Sequence, residues 1–269
     1  MHGMAATIHY ININGEVCVT DRNTFSASPK ITEADSLFES MRFHNGRIVL
    51  EDYHADRLRK GLEELGYPGN GPFDWHELRK EIDKVVKANQ FFESARIRLV
   101  IRPNAPQFVV ESWALGKYSF HEKGLEVDVY HSGSKEITKI SNLKKGSELS
   151  YLSAINFAKG LKMDEVIILN KEGRVCESAV SNIFWLSKGV LHTIPLQEGP
   201  VEGVLRRYIM EKTDVKEKAC TMEELLEADE IFLTNMIRGI QPVTRFRTSG
   251  YATSQARSIF EKFIEPLTR

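Results

Sequence analysis

The sequence predicts an α+β fold in two domains, and three observations carry that prediction. Strand-period segments flank two Asn-Gly dipeptides early in the chain. Apolar residues at helical spacing form separate runs between and after them. A stretch without clear period, Leu115 to Gly124, is followed by a new strand pattern. It divides a small N-terminal α/β domain, residues 1–120, from a larger C-terminal domain, residues 121–269.

Thr7 to Val19 alternates around Asn14-Gly15 and reads as a hairpin. Leu37 to Phe43, Asn45-Gly46 and Arg47 to Leu50 read as a second. A helix follows, with Asp52 as its N-cap, Leu58, Leu62 and Leu65 on one face, and Gly66 as its stop. Trp75 to Asn89 is amphipathic through Leu78, Ile82, Val85 and Val86. Arg96 to Ile101 and Gln107 to Ala114 are strands, and the alternation at Arg96-Ile97-Arg98-Leu99 puts both arginines on one sheet face. In the second half, strands are expected at Leu125–Tyr130, Glu165–Leu169, Asn182–Leu186, Val190–Thr193 and Glu230–Thr234. Helices are expected at Leu149–Lys162, Gly203–Lys212, Met222–Ala228 and Tyr251–Ile264.

Composition narrows the function classes. The 269 residues carry 36 Lys and Arg against 37 Asp and Glu, which gives no electrostatic case for nucleic acid or an anionic membrane. No apolar run approaches the roughly 20 residues that span a bilayer, and Met1 to Thr7 lacks the pattern of a secretory signal. Cys18, Cys176 and Cys220 form no Cys-x-x-Cys pair and have no histidine at ligand spacing. They read as reduced thiols of a cytoplasmic protein, with no metal site expected.

The stretch from Ile140 to Tyr208 carries the chemistry. It holds a lysine in a loop before a helix, a glutamate after a strand, and a glycine opening a helix. Pyridoxal 5′-phosphate needs those three things. An amine must condense with its aldehyde, a carboxylate must keep its ring nitrogen protonated, and backbone N–H groups at a helix start must receive its phosphate. Taken alone, Lys139, Lys144 and Lys145 read rather as a solvated basic loop, and Glu177 as an exposed strand end.

The segments Asp164-Glu165-Val166-Ile167-Ile168-Leu169, Gly173-Arg174-Val175-Cys176-Glu177, Ser181-Asn182-Ile183-Phe184 and Gly203-Val204-Leu205-Arg206 resemble the class IV aminotransferases. So do Leu37 to Ile48, Glu51 to Leu58 and Glu230 to Val243, in the family's order. The resemblance implies the two-domain PLP fold type IV, D-amino-acid aminotransferase-like, with the cofactor in the inter-domain cleft, and a homodimer. It implies Lys144 as the Schiff-base lysine, with Lys145 as its competitor, and Glu177 as the partner of the ring nitrogen. Arg57, in His54-Ala55-Asp56-Arg57-Leu58, resembles the phosphate arginine. Val204 and Leu205 would offer backbone N–H groups to the same phosphate, and Asn235 and Met236 the opposite wall. Phe38, Arg98 and Arg102 are the candidate substrate contacts; Arg98 reads equally as a strand residue paired with Glu111. Phe184, Trp185 and His54 read as core.

The implied substrates are small molecules, amino acids and 2-keto acids, and the implied reaction is amino transfer. The alternative is the lyase branch, which splits aminodeoxychorismate into 4-aminobenzoate and pyruvate; a member without activity is a third reading. Leu149 stands five residues after Lys144, where the branched-chain subgroup has a tyrosine, and no Arg-x-His trap follows Arg102. Phe184-Trp185, Asn235 and the short chain lean toward the lyase, whereas Glu39 looks like the transaminases.

Overall fold

A computed structural model describes residues 9–20, 36–69, 71–145 and 149–269. The first two residues of the expected N-terminal hairpin, Thr7 and Ile8, and the segment Met1 to Thr7 lie outside the described residues. The chain divides into two compact units, Met1–Gly116 with Lys144–Ser147, and Lys117–Leu143 with Glu148–Arg269.

The first unit holds a six-stranded sheet. Its strands are β1 (His9–Ile13), β2 (Glu16–Thr20), β3 (Leu37–His44), β4 (Arg47–Ile48), β5 (Ser94–Arg102) and β6 (Gln107–Ala114), ordered β2-β1-β6-β5-β3-β4. Both Asn-Gly turns form: Asn14 has φ 52° and Gly15 95°, the left-handed pair that matches strand twist. Helix α1 (Glu51–Glu64) packs on β3, and α2 (Trp75–Ala88) on β1 and β6. Ile97 and Leu99 are wholly buried in β5. On the opposite face of that strand, Arg96 lies over the Trp113 ring and Arg98 over Phe38. The arginines therefore share a face, as the alternation predicts.

Helix α1 starts differently from the sequence expectation. Leu50, at φ 55°, is the N-cap and uses no side chain. The tight exit from β4 leads straight into the helix, so Asp52 sits in the first turn beside Glu51, where both acids still favour the helix dipole. Helix α2 is capped by Asp74, whose carboxylate accepts from the Glu77 N–H.

The second unit holds β7 (Leu125–Val129), β8 (Glu165–Leu169), β9 (Val175–Ser178), β10 (Asn182–Ser187), β11 (Val190–Thr193), β12 (Val215–Glu217), β13 (Glu230–Asn235), β14 (Gly239–Phe246) and β15 (Ser249–Gly250). The path is β12-β11-β10-β13-β14-β7-β8-β9, with β15 on β14. Helices α3 (Leu149–Leu161), α4 (Val204–Lys212), α5 (Met222–Leu226) and α6 (Ser254–Ile259) accompany it. Trp185, Ile183, Leu233, Val243 and Phe246 share one core cluster. Phe184 stacks on Phe232 at 5.1 Å, so both aromatics of Phe184-Trp185 are core.

Sequence reading missed β9, β12, β14 and β15. Strand β14 contains Pro242, which demotes a strand on sequence grounds, yet it runs between β13 and β7. Its ladder with β7 shifts register between Val243 and Arg245. The closing helix is also shorter than expected: α6 ends at Ile259 and a π turn carries on through Phe260–Ile264.

Candidate active site

In the second unit the site is built around β8. Glu177 on β9 pairs with Ile168 of β8. On the other side of β8, the chain leaving β7 resumes pairing at Lys135, which bridges Asn170. Asn170 follows the last residue of β8, two positions beyond Ile168, and the Lys135 and Glu177 side chains meet beside this end of the strand. There Lys135 Nζ donates to Glu177 Oε1 at 2.6 Å, to the Tyr151 hydroxyl at 2.6 Å and to the Ser141 carbonyl at 3.1 Å. The Tyr151 hydroxyl, from α3, donates to the same Oε1. Glu177 Oε2 accepts from the Val201 N–H at 3.1 Å. Lys135 and Glu177 are both buried, and their hydrogen bonds offset the cost of taking two charges out of water.

Val201 ties this carboxylate to the start of α4. Its carbonyl accepts from Asn182 Nδ2 at 2.8 Å. Two residues later Gly203 is the N-cap of α4, with no side-chain cap. A Cβ on Gly203 would lie 1.9 Å from Asn182 Oδ1, so a larger residue there would push the Asn182 side chain away from its contact with Val201. Val204 and Leu205 form the first turn, where backbone N–H groups lack intrahelical acceptors. Asn235 ends β13; its Nδ2 donates to Ser181 Oγ at 2.9 Å. Its Oδ1 accepts from the Ile237 and Arg238 N–H groups, and the Met236 carbonyl accepts from the Tyr118 hydroxyl. The turn after β9, the start of α4 and the β13–β14 loop are thus joined. The second unit gathers Glu177, Val204, Leu205, Asn235 and Met236 in one place.

The other expected residues lie in the first unit. Glu39 on β3 is buried and accepts from His54 Nδ1 at 2.6 Å, Arg57 Nε at 2.8 Å and Arg57 Nη2 at 2.5 Å. His54 and Arg57 are three residues apart on α1 and so share its sheet-facing side. Burial works to raise the Glu39 pKa, but Arg57 and His54 outweigh it and bring it down to about 2. Burial lowers the His54 pKa, against the pull of Glu39. Lys144 and Lys145 run beside β3: the Lys144 carbonyl accepts from the Phe38 N–H at 2.9 Å, and Lys145 bridges Leu37. Lys144 Nζ stands 4.4 Å from the centre of the Phe38 ring, with the Arg98 guanidinium 5.4 Å from the same ring. Arg98 pairs across the ladder with Glu111, and Arg102 with Gln107, on the face that holds Phe38.

Two functional candidates escaped sequence reading. Lys135 follows His131-Ser132-Gly133-Ser134 and has no periodic signal. Only its return to β8 places it. The role of Glu39 as partner to both His54 and Arg57 was equally invisible, because the three meet across a strand and a helix.

The amino-transferase class IV family model matches residues 36–246. Over 252 residues the chain is 28% identical to an aminodeoxychorismate lyase of Bacillus subtilis, covering 85% of each protein. It superposes on a branched-chain aminotransferase of Thermoproteus uzoniensis, solved with norvaline, with TM-score 0.79 and 26% identity, covering 97% of this chain and 95% of that one. The branched-chain amino acid aminotransferase of Escherichia coli gives TM-score 0.80 at 22% identity, covering 97% and 95%. The chain belongs to the class IV aminotransferases, a family of PLP-dependent enzymes that includes both aminotransferases and aminodeoxychorismate lyases. Its fold is the PLP fold type IV. The residues present fit that cofactor: a buried anchored carboxylate stands beside an uncapped helix start, where glycine allows close approach.

Proposed function

We propose that this protein is an aminotransferase, moving an amino group between an amino acid and a 2-keto acid, with pyridoxal 5′-phosphate as its cofactor. The observation that carries the reading is Glu177. It is a buried carboxylate held on both oxygens and joined through Val201 to the start of α4. When bound, the cofactor supplies an electron sink for negative charge at the substrate α-carbon.

Glu177 holds the proton on the ring nitrogen. The Val204 and Leu205 N–H groups receive the phosphate at a helix start, where donors and dipole both favour an anion. Arg57 adds charge-assisted donors to the phosphate, and Glu39 keeps the guanidinium oriented through its Nε–Nη2 edge. Asn235 and Met236 form the opposite wall. Lys144 would supply the amine that holds the cofactor's aldehyde, and its Nζ would serve as the general base for the substrate α-proton. Phe38 lines the substrate side, and Arg98 and Arg102 receive the substrate carboxylate.

The lyase is the second reading, favoured by the 28% identity to the Bacillus subtilis enzyme. The test is the fate of the cofactor. An aminotransferase given L- or D-amino acids without a keto acid loses its yellow absorption band stoichiometrically as the pyridoxamine form accumulates. A lyase keeps the band and releases pyruvate from aminodeoxychorismate. Pyruvate release with no bleaching by any amino acid overturns amino transfer.

A further inference from the structure

We propose that Lys135 is a positioning residue: its ammonium keeps Glu177 ionised and fixed before the cofactor arrives, and it is not the amine that condenses with the aldehyde. The inference rests on the reading of Glu177 as partner of the ring nitrogen.

The hydrogen-bond inventory carries it. An ammonium has three donors and no lone pair, and Lys135 spends all three on Glu177 Oε1, Tyr151 and the Ser141 carbonyl. To act as a nucleophile it would have to give up a proton and break a contact to a buried carboxylate at 2.6 Å. The third acceptor is itself held. Ser141 Oγ accepts from the Thr138 N–H at 2.6 Å and donates to the Glu136 carbonyl at 2.9 Å. Residues 136–141 thus form a braced turn behind the lysine.

The two carboxylate oxygens are used unequally. Each can accept about two hydrogen bonds. Oε1 takes Lys135 and Tyr151, whereas Oε2, among the described residues, takes the Val201 N–H alone. Oε2 therefore retains acceptor capacity for one more N–H, and the structure assigns the ring nitrogen's partner to that oxygen. Charge follows the same division. The Lys135 ammonium stands 2.6 Å from Oε1, and an opposite charge at that distance favours the anionic carboxylate.

The test is proton linkage, read with pyridoxamine 5′-phosphate, which has no aldehyde and so binds independently of any condensing lysine. Its dissociation constant is measured from pH 6 to 8.5 for the parent, Lys135→Arg, Lys135→Met and Lys135→Met/Glu177→Gln. Lys135→Met must release one extra proton on binding, so its affinity falls by an additional ~tenfold per pH unit as pH drops. Lys135→Arg, which keeps the charge, should run parallel to the parent, and adding Glu177→Gln should remove the extra slope. If Lys135→Met does not fold, Lys135→Gln reads the same quantity. A pH profile for Lys135→Met or Lys135→Gln parallel to the parent overturns the proposal.

Borohydride reduction of the PLP-loaded parent, followed by peptide mapping, separates the two readings. A label on Lys135 overturns this inference. A label on Lys145, or on no lysine, ends the assignment of Lys144 but leaves the proton-linkage result standing.

Discussion

Each unit holds a buried carboxylate against a cation and a ring-bearing side chain, and the two clusters differ in what the cation can do. In the first unit, Glu39 faces Arg57 and His54; in the second, Glu177 faces Lys135 and Tyr151. Arginine presents a planar fork, and two N–H groups of Arg57 fall on the two oxygens of Glu39. Lysine is a point charge, and Lys135 touches a single oxygen of Glu177. The first arrangement consumes the carboxylate in holding a cation. The second holds the carboxylate and keeps one of its oxygens available. A buried acid becomes a tool only when its counter-ion leaves part of it unspent.

Another buried acid sets off Glu39. Glu165, at the start of β8, is buried, and its Oε2 has no hydrogen-bond partner among the described residues. The cation it pairs with, Arg238, stands 3.5 Å away and is half exposed. Burial pushes Glu165 up to about 7 despite the opposing pull of Arg238. Close contact with a cation thus separates an acid at about 2 from one at about 7.

The comparison breaks first at turnover. Glu177→Gln should bind the cofactor yet lose turnover about 1000-fold, since each unit by which the ring nitrogen's pKa falls is worth ~1.4 kcal/mol. Glu39→Gln should instead show its main loss in thermal stability. Equal loss of turnover and equal loss of melting temperature in both variants would erase the distinction.

Acid titration is the next largest effect. The folded pKa of Glu39 lies at about 2, below its ordinary 4.5, so its stabilisation is complete above pH 4.5 and disappears as pH falls toward 2. The shift is worth about 3 kcal/mol. Denaturant melts at pH 5 and pH 3 should show the parent losing stability that Glu39→Gln does not lose; parallel losses would remove Glu39 as the source.

Glu165 runs the opposite way. Its folded pKa is raised, so stability is greatest below pH 4.5 and falls as pH climbs to about 7. Glu165→Gln should match the parent at pH 5 and exceed it at pH 8 by up to about 3 kcal/mol. A constant difference across that window would mean that the acid is charged throughout.

The smallest effect concerns the phosphate. Arg57→Ala should raise the dissociation constant for pyridoxal 5′-phosphate about 30-fold, the scale of a lost charge-assisted hydrogen bond. It should also release Glu39 to a higher pKa, visible as a shifted acid transition. Cofactor retention after dialysis, followed by titration, measures the first effect; undiminished affinity would leave Arg57 as a partner of Glu39 alone.

Much of this molecule was determined by local chemistry. The Asn-Gly turns, the apolar stripe of α2 and the alternation in β5 depend on neighbours within a few residues, so the one-dimensional pattern suffices for them. Family motifs likewise mark Glu177, Gly203 and Asn235 along the chain. Strand β14 was not legible, because Pro242 weakens the local signal while its burial comes from flanking strands remote in sequence. Lys135 was not legible either. Nothing around it distinguishes it from Lys139 or Lys144; it is set apart by its backbone bridge to Asn170, just past β8, and by its side-chain contact with Glu177. Tertiary structure decided which charges are buried and which partner each one meets, because desolvation and ion pairing depend on distance in space, which spacing along the chain does not encode.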